Sequence, residues 1–138
     1  MNATGTFEVK LAPQAVEGVD DATVGRMSIE KQFHGDVEAV SKGQMLAVRG
    51  EVAASAGYVA MERVTGTLAG RSGSFALQHT GTINRGVPEQ SVTVVPDSGT
   101  GELAGLSGKM TIVIAQGKHS YEFEYTLSAA TAGESGAS

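Results

Sequence analysis

The 138-residue chain contains no cysteine. Disulfides, thiolate metal ligands and a thiol nucleophile are excluded together, and the fold is indifferent to the redox state of its compartment. Basic residues are also few: 10 Lys and Arg stand against 15 Asp and Glu, for a net charge of -5. No basic stripe is interleaved with the three tyrosines and four phenylalanines. Nothing is arranged to neutralise a phosphate backbone, so nucleic acid is not an expected partner. No apolar run approaches the roughly 18 to 20 residues of a membrane-spanning helix. The opening MNATGTFEVKLAP lacks both the basic start and the apolar stretch of a leader. A soluble, cytoplasmic protein without a membrane partner is expected. Helical spacing is missing too, and the best helix candidate, 35 to 41, is too short to form an element.

What the chain has in excess is glycine, 19 of 138 residues, about twice the usual share of roughly 7%. These glycines lie between segments in which apolar and polar residues alternate, the period of half-buried strands. In KHSYEFEYTL, His119, Tyr121, Phe123, Tyr125 and Leu127 fall on one face, and Ser120, Glu122, Glu124 and Thr126 on the other. TGTFEVKL sets Phe7, Val9 and Leu11 against Thr6, Glu8 and Lys10, while GRMSIEKQF places Met27, Ile29 and Phe33 on a face shared with Lys31. Further strands are expected near 44 to 50, 57 to 68, 74 to 84, 90 to 96 and 109 to 116. That makes about eight in series without crossover helices, which predicts an all-β fold: an antiparallel meander closing on itself into a barrel or folding into a sandwich, of which the closed barrel would remove the two exposed edges. Residues 1–127 are expected to form this one domain, with 41% apolar content to fill its core. PQAVEGVDDATVG reads as an acidic loop, and the small-residue tail at 128–138 is expected to be disordered.

Two stretches nearly repeat each other, TGTLAGRSG at 65 to 73 and TGELAGLSG at 100 to 108. Glycines flanking a two-residue step suit hairpin turns. Each copy is therefore expected to turn a hairpin, centred on Arg71-Ser72 in the first and Leu106-Ser107 in the second. Neither has the lysine or the helix-leading glycine spacing of a phosphate-binding loop. A turn between 71 and 72 pairs Leu68 with Phe75, Val64 with His79 and Glu62 with Gly81. Glu62 and His79 then share a face with Leu68, Val64, Ala60, Phe75 and Leu77, and Gly81 leaves space beside the carboxylate. The equivalent positions of the second copy, Asp97 and Ile114, carry no such pair. A carboxylate and an imidazole in an apolar setting must satisfy each other, and such pairs have pKa values suited to moving protons. Glu62 and His79 are the candidate catalytic pair; the alternative is an internal pair that only fixes register. His119 is placed to line a barrel mouth, and His34, before Gly35-Asp36, is expected to be solvated. Three scattered histidines do not form a metal site. GRSGS is a turn rather than a nucleophile elbow, and Arg63 shares the opposite face with Val59 and Met61.

The runs GYVAMERVTGTLAGRSGSFALQHTGT and VVPDSGTGELAGLSGKM, with ATGTFEVK at the start and FHGD at 33 to 36, resemble an uncharacterised bacterial family of small β-barrel proteins related to allene oxide cyclase and dirigent proteins. The resemblance spans the chain to Leu127. It implies an eight-stranded antiparallel meander barrel that holds an apolar substrate without a cofactor, and it matches Glu62 in GYVAMER and His79 in LQHTG to recurring positions of the family. The cysteine of the plant cyclase pocket is absent here. The function expected is binding of a small apolar molecule, with Tyr58, Phe75, Tyr121, Tyr125 and His119 as ligand-binding residues and no metal or cofactor. With turnover, Glu62 and His79 suit isomerisation or cyclisation by general acid and base. The alternatives are a non-catalytic binding module and a structural, oligomer-forming barrel whose interior is filled. Related barrels often form homo-oligomers, although no segment here identifies an interface.

Overall fold

The computed structural model describes residues 1–14 and 24–127. Eight strands follow one another: β1 (Asn2–Gln14), β2 (Val24–Gly35), β3 (Val37–Arg49), β4 (Ala56–Leu68), β5 (Arg71–Asn84), β6 (Val87–Val94), β7 (Leu106–Ala115) and β8 (Lys118–Leu127). Each pairs with its sequence neighbours, and β1 pairs with β8, closing an antiparallel barrel in simple meander order. The one helical element among the described residues is a single 3-10 turn at Gly101–Leu103, and no helix is long and apolar enough to cross a membrane. The segment considered for a helix, 35 to 41, instead turns at Gly35 and Asp36 and opens β3. The period decides it: Val37, Ala39 and Ser41 point inward and are buried, while Glu38, Val40 and Lys42 point out. The expected tail at 128–138 and most of the acidic loop lie outside the described residues.

One end of the barrel is filled. Phe33, Leu68, Phe75, Leu103, Tyr121 and Phe123 are all within 2% of complete burial there. Phe75 stacks on Phe123 and Phe123 on Tyr125, at ring separations of 5.9 and 5.3 Å, while Phe33 meets Tyr121 edge-on at 5.7 Å. Such contacts add about 0.5 to 1.5 kcal/mol each beyond the burial of apolar area. The Tyr121 hydroxyl accepts a hydrogen bond from Val37 N and donates one to His34 O, both at 2.9 Å, which ties β8 to the β2–β3 turn. Burial raises the pKa of this phenol. Gly5 makes room for it, because a Cβ there would run into the Tyr121 hydroxyl and the His34 carbonyl.

The two repeat copies do different work, which corrects the expectation that each turns a hairpin. The first turns at Ala69-Gly70 rather than Arg71-Ser72, pairing Leu68 with Arg71, Val64 with Phe75, Glu62 with Leu77 and Ala60 with His79. Both turn residues have positive φ, 49° and 84°. A tight two-residue turn needs that conformation, and Gly70 adopts it freely where Arg71 and Ser72 would both be strained. The pairing moves by four residues, an even number, so every side chain keeps its face. The second copy makes no hairpin. Residues 95 to 105 run beneath the closed end, where Leu103 is buried and Glu102 and Thr100 accept hydrogen bonds from the amides of Ser72 and Ser74 at 2.8 and 3.0 Å. The copies therefore pack on each other.

Tyr121→Phe should lower unfolding free energy by about 1–3 kcal/mol, because Val37 N loses its buried acceptor. Gly5→Ala should cost more than Tyr121→Phe, since backbone must shift. Urea unfolding of the three proteins tests both, and an unchanged Tyr121→Phe midpoint would remove the hydroxyl from this account.

Candidate functional site

The inward positions of four consecutive strands place Lys31 (β2), Ser41 (β3), Glu62 (β4) and His79 (β5) about midway along the barrel. All four are buried, and they are the only buried polar or charged side chains among the described residues. Glu62 is their centre. Its Oε2 lies 2.9 Å from Lys31 Nζ and 2.6 Å from His79 Nε2, and its Oε1 accepts from Ser41 Oγ at 2.7 Å. The Lys31 ammonium also sits over the rings of Phe7 and Phe33, 5.0 and 5.8 Å from their centroids, so the faces of two aromatics help replace its water.

Burial on its own would raise the Glu62 pKa. The His79 contact and the Lys31 charge outweigh it and hold the carboxyl down to about 2. Glu62 is thus a fixed anion and a poor acceptor for a proton at neutral pH. The contact with His79 is close but out of line: Nε2 is sealed from solvent and makes no well-directed hydrogen bond despite its 2.6 Å approach. The other ring nitrogen, Nδ1, has no partner among the described residues and is not sealed in this way. The arrangement can therefore hold an imidazole by one side and offer the other.

The expected pair, Glu62 and His79, is in contact, although the parity argument that joined them used the wrong turn. Gly81 lies opposite Tyr58 rather than Glu62. A Cβ at Gly81 would strike the Tyr58 ring, so the space expected beside the carboxylate is occupied by Tyr58. Opposite Glu62 stand Leu77 on β5 and Gly43 on β3. Tyr58 stands towards the mouth, half-buried, and its hydroxyl accepts from Gln90 Nε2 at 3.0 Å. His119 is half-buried against Phe7, with ring centroids 5.2 Å apart, one ring removed from Lys31. Phe75, Tyr121 and Tyr125 belong to the packed closed end and do not gather at the charged cluster. His34 is solvated beside Glu8, at 3.1 Å. Lys31 and Ser41 went unrecognised as site residues. Lys31 did carry a signal, a lone cation on the apolar face of β2, whereas Ser41 carried none.

Among the described residues no three His, Asp or Glu are placed to hold a metal. The central cluster also contains an ammonium, which repels a cation. A concavity of about 810 Å³ is not over the cluster. It is an open groove lined mainly by outward-facing residues, among them Leu46, Val48, Val59, Thr80 and Ser91.

A family described as "Protein of unknown function (DUF3224)" matches residues 3–125. The chain belongs to the DUF3224 family. Its barrel resembles the crystal structure of a DUF3224 protein of unknown function from Shewanella oneidensis MR-1, with a TM-score of 0.87 and 46% identity over 92% of this chain and 96% of that one. No curated protein matches the chain. What defines this DUF3224 protein chemically is thus read from its own interior.

The depressed Glu62 pKa has a definite sign. The folded value of about 2 lies below the unfolded one of roughly 4.3. Its stabilisation is present above the unfolded value and is lost as pH falls towards 2, a change of about 3 kcal/mol at 1.36 kcal/mol per unit. Glu62→Gln should cost about 3–5 kcal/mol at neutral pH, because Lys31 keeps a buried charge without its partner. The variant should also lack this component of acid destabilisation. Chemical unfolding from pH 2 to 7 compares the two, and parallel stability profiles would show that Glu62 is not the group responsible.

Proposed function

We propose that this DUF3224 barrel binds a small, largely apolar molecule through its mouth, with one hydrogen-bonding group of the ligand meeting His79. The observation that carries this reading is the position of His79. Its Nε2 is backed by Glu62, while Nδ1 has no partner among the described residues. Above the cluster the packed core gives way to half-buried Val9, Met27, Met45, Tyr58 and Ile112. These side chains suit an apolar ligand body, and the two methionines, paired across β2 and β3, adapt to irregular shapes. A site with an apolar wall and one convergent polar group is a common form for small-molecule recognition.

A second reading, cofactor-free isomerisation or cyclisation, is favoured by the same contact. A carboxylate behind an imidazole fixes the ring and leaves the opposite nitrogen to exchange a proton with a ligand. Glu62, held near a pKa of 2, is then a positioning residue, and His79 is the group that carries the proton. The resemblance to cyclase and dirigent barrels agrees with this reading.

Native mass spectrometry of freshly purified protein, followed by denaturing extraction, is expected to release an apolar compound of small mass. His79→Gln should weaken its retention by about tenfold, equivalent to one lost hydrogen bond of roughly 1.4 kcal/mol. Protein that carries no such compound and binds no apolar dye would overturn the binding reading. A product formed from the extracted compound by the native protein but not by His79→Gln would establish turnover.

A further inference from the structure

Two inward rows of side chains lie one above the other where His79 faces the mouth. The lower row runs in continuous cross-strand register from Met27 through Met45, Ala60 and His79 to Val92. One step towards the mouth, the same strands bring Gly25, Ala47, Tyr58, Gly81 and Gln90 into register. Strand positions two residues apart share a face, so this upper row lies directly over His79 and its neighbours. Most of its members are glycine or alanine, and a Cβ at Gly25 would meet nothing within 4 Å among the described residues. The row is open except where Tyr58 reaches into it.

The Tyr58 ring crosses from β4 to lie over Gly81, and its hydroxyl oxygen stands 3.0 Å from the point where a Gly81 Cβ would be. That point is roughly 7 Å from the Cβ of His79, two residues along β5 at about 3.3 Å each. The phenol oxygen and the imidazole therefore border the same space. The hydroxyl accepts a hydrogen bond from Gln90 Nε2 at 3.0 Å, and its own proton has no acceptor among the described residues. Gln90 sets the direction of this contact. By donating to the oxygen it leaves the phenolic proton free, and an oxygen that accepts one hydrogen bond becomes a better donor of the next. Tyr58 O–H and His79 Nδ1 are thus two uncommitted polar groups on one apolar wall.

We propose that Tyr58 is a second polar contact of the ligand, positioned by Gln90, and that the ligand is an apolar hydroxy ketone whose carbonyl oxygen accepts the Tyr58 proton while its hydroxyl meets His79 Nδ1. This rests on the reading of His79 as the ligand's polar contact. A carbonyl suits Tyr58 because that side chain lacks only an acceptor. A hydroxyl suits His79 because it can donate to a bare Nδ1 and accept from a protonated one. Selectivity follows from the same geometry. A ligand of equal shape without the carbonyl would dehydrate the phenolic O–H and leave it unpaired, which costs more than a missing apolar contact.

Four benzene derivatives of matched length separate the two contacts: β-hydroxypropiophenone carries both groups, propiophenone the ketone, phenylpropanol the hydroxyl and propylbenzene neither. Their affinities are read by NMR titration of the His79 imidazole and of the β4, β5 and β6 amides. The hydroxy ketone should bind the native protein about tenfold more tightly than phenylpropanol, the gain expected of one hydrogen bond. Tyr58→Phe keeps a ring over Gly81 and should bring that ratio to within about twofold, with the affinity for phenylpropanol unchanged. Gln90→Glu should do the same with the phenol intact, because a carboxylate only accepts and takes the Tyr58 proton for itself. A Gln90 that merely supported the ring would leave the ratio at about tenfold. A native ratio within about twofold, or one that survives Tyr58→Phe, would overturn the Tyr58 contact. The underlying reading fails separately: phenylpropanol binding no better than propylbenzene overturns the His79 contact, and with it the hydroxyl of the ligand class, without changing the ketone ratio. No binding of any of the four overturns both.

Discussion

A carboxylate with no solvent exposure needs partners, and in this barrel three strands each supply one to Glu62: Lys31 from β2 and Ser41 from β3 donate hydrogen bonds, and His79 from β5 makes a close contact. That requirement constrains more than the site. Because strand side chains alternate, a slip of one residue in β2, β3 or β5 would turn one of these partners to the outside and leave the buried anion short of it. Four adjacent strands are thereby held in one register by a single side chain. Apolar packing alone would not discriminate so sharply, since cores tolerate exchanges of one aliphatic residue for another.

The cluster also marks a boundary within the interior. Towards the β2–β3 and β4–β5 turns, stacked aromatics and Leu103 fill the barrel, and Tyr121 uses its hydroxyl on backbone groups rather than on a ligand. Towards the other end the inward residues are only half-buried. An eight-stranded barrel is narrow enough for side chains to fill it, and here they do so for roughly one half.

Much of the architecture could be read from the chain before any coordinates, because alternation with period two is the same physical fact that places Phe7, Ile29, Phe75 and Phe123 inside. The parity of β4 and β5 sufficed to bring Glu62 and His79 to one face even with the turn misplaced by two residues. The turn itself was harder, since Ala69 accepts a positive φ that its residue type disfavours. The second repeat copy was harder still. Its role depends on Glu102 and Thr100 meeting amides some thirty residues away, which no local pattern encodes. Lys31 and Ser41 were missed for a related reason: a cation in an apolar stripe is ordinary when solvated and decisive only when a partner strand delivers an anion.

The meander connectivity has a consequence for how the chain can assemble. Every neighbouring pair is local in sequence except the β1–β8 seam, and local contacts form early because they close short loops. Lys31, Ser41, Glu62 and His79 all lie on β2 to β5, so they can associate while the sheet is still open and wet. Dehydrating isolated ions inside a finished barrel would be costly, but here the ions can be matched first and dehydrated only when β8 meets β1. The order of the strands thus lets the chain avoid ever carrying these charges singly into an apolar space.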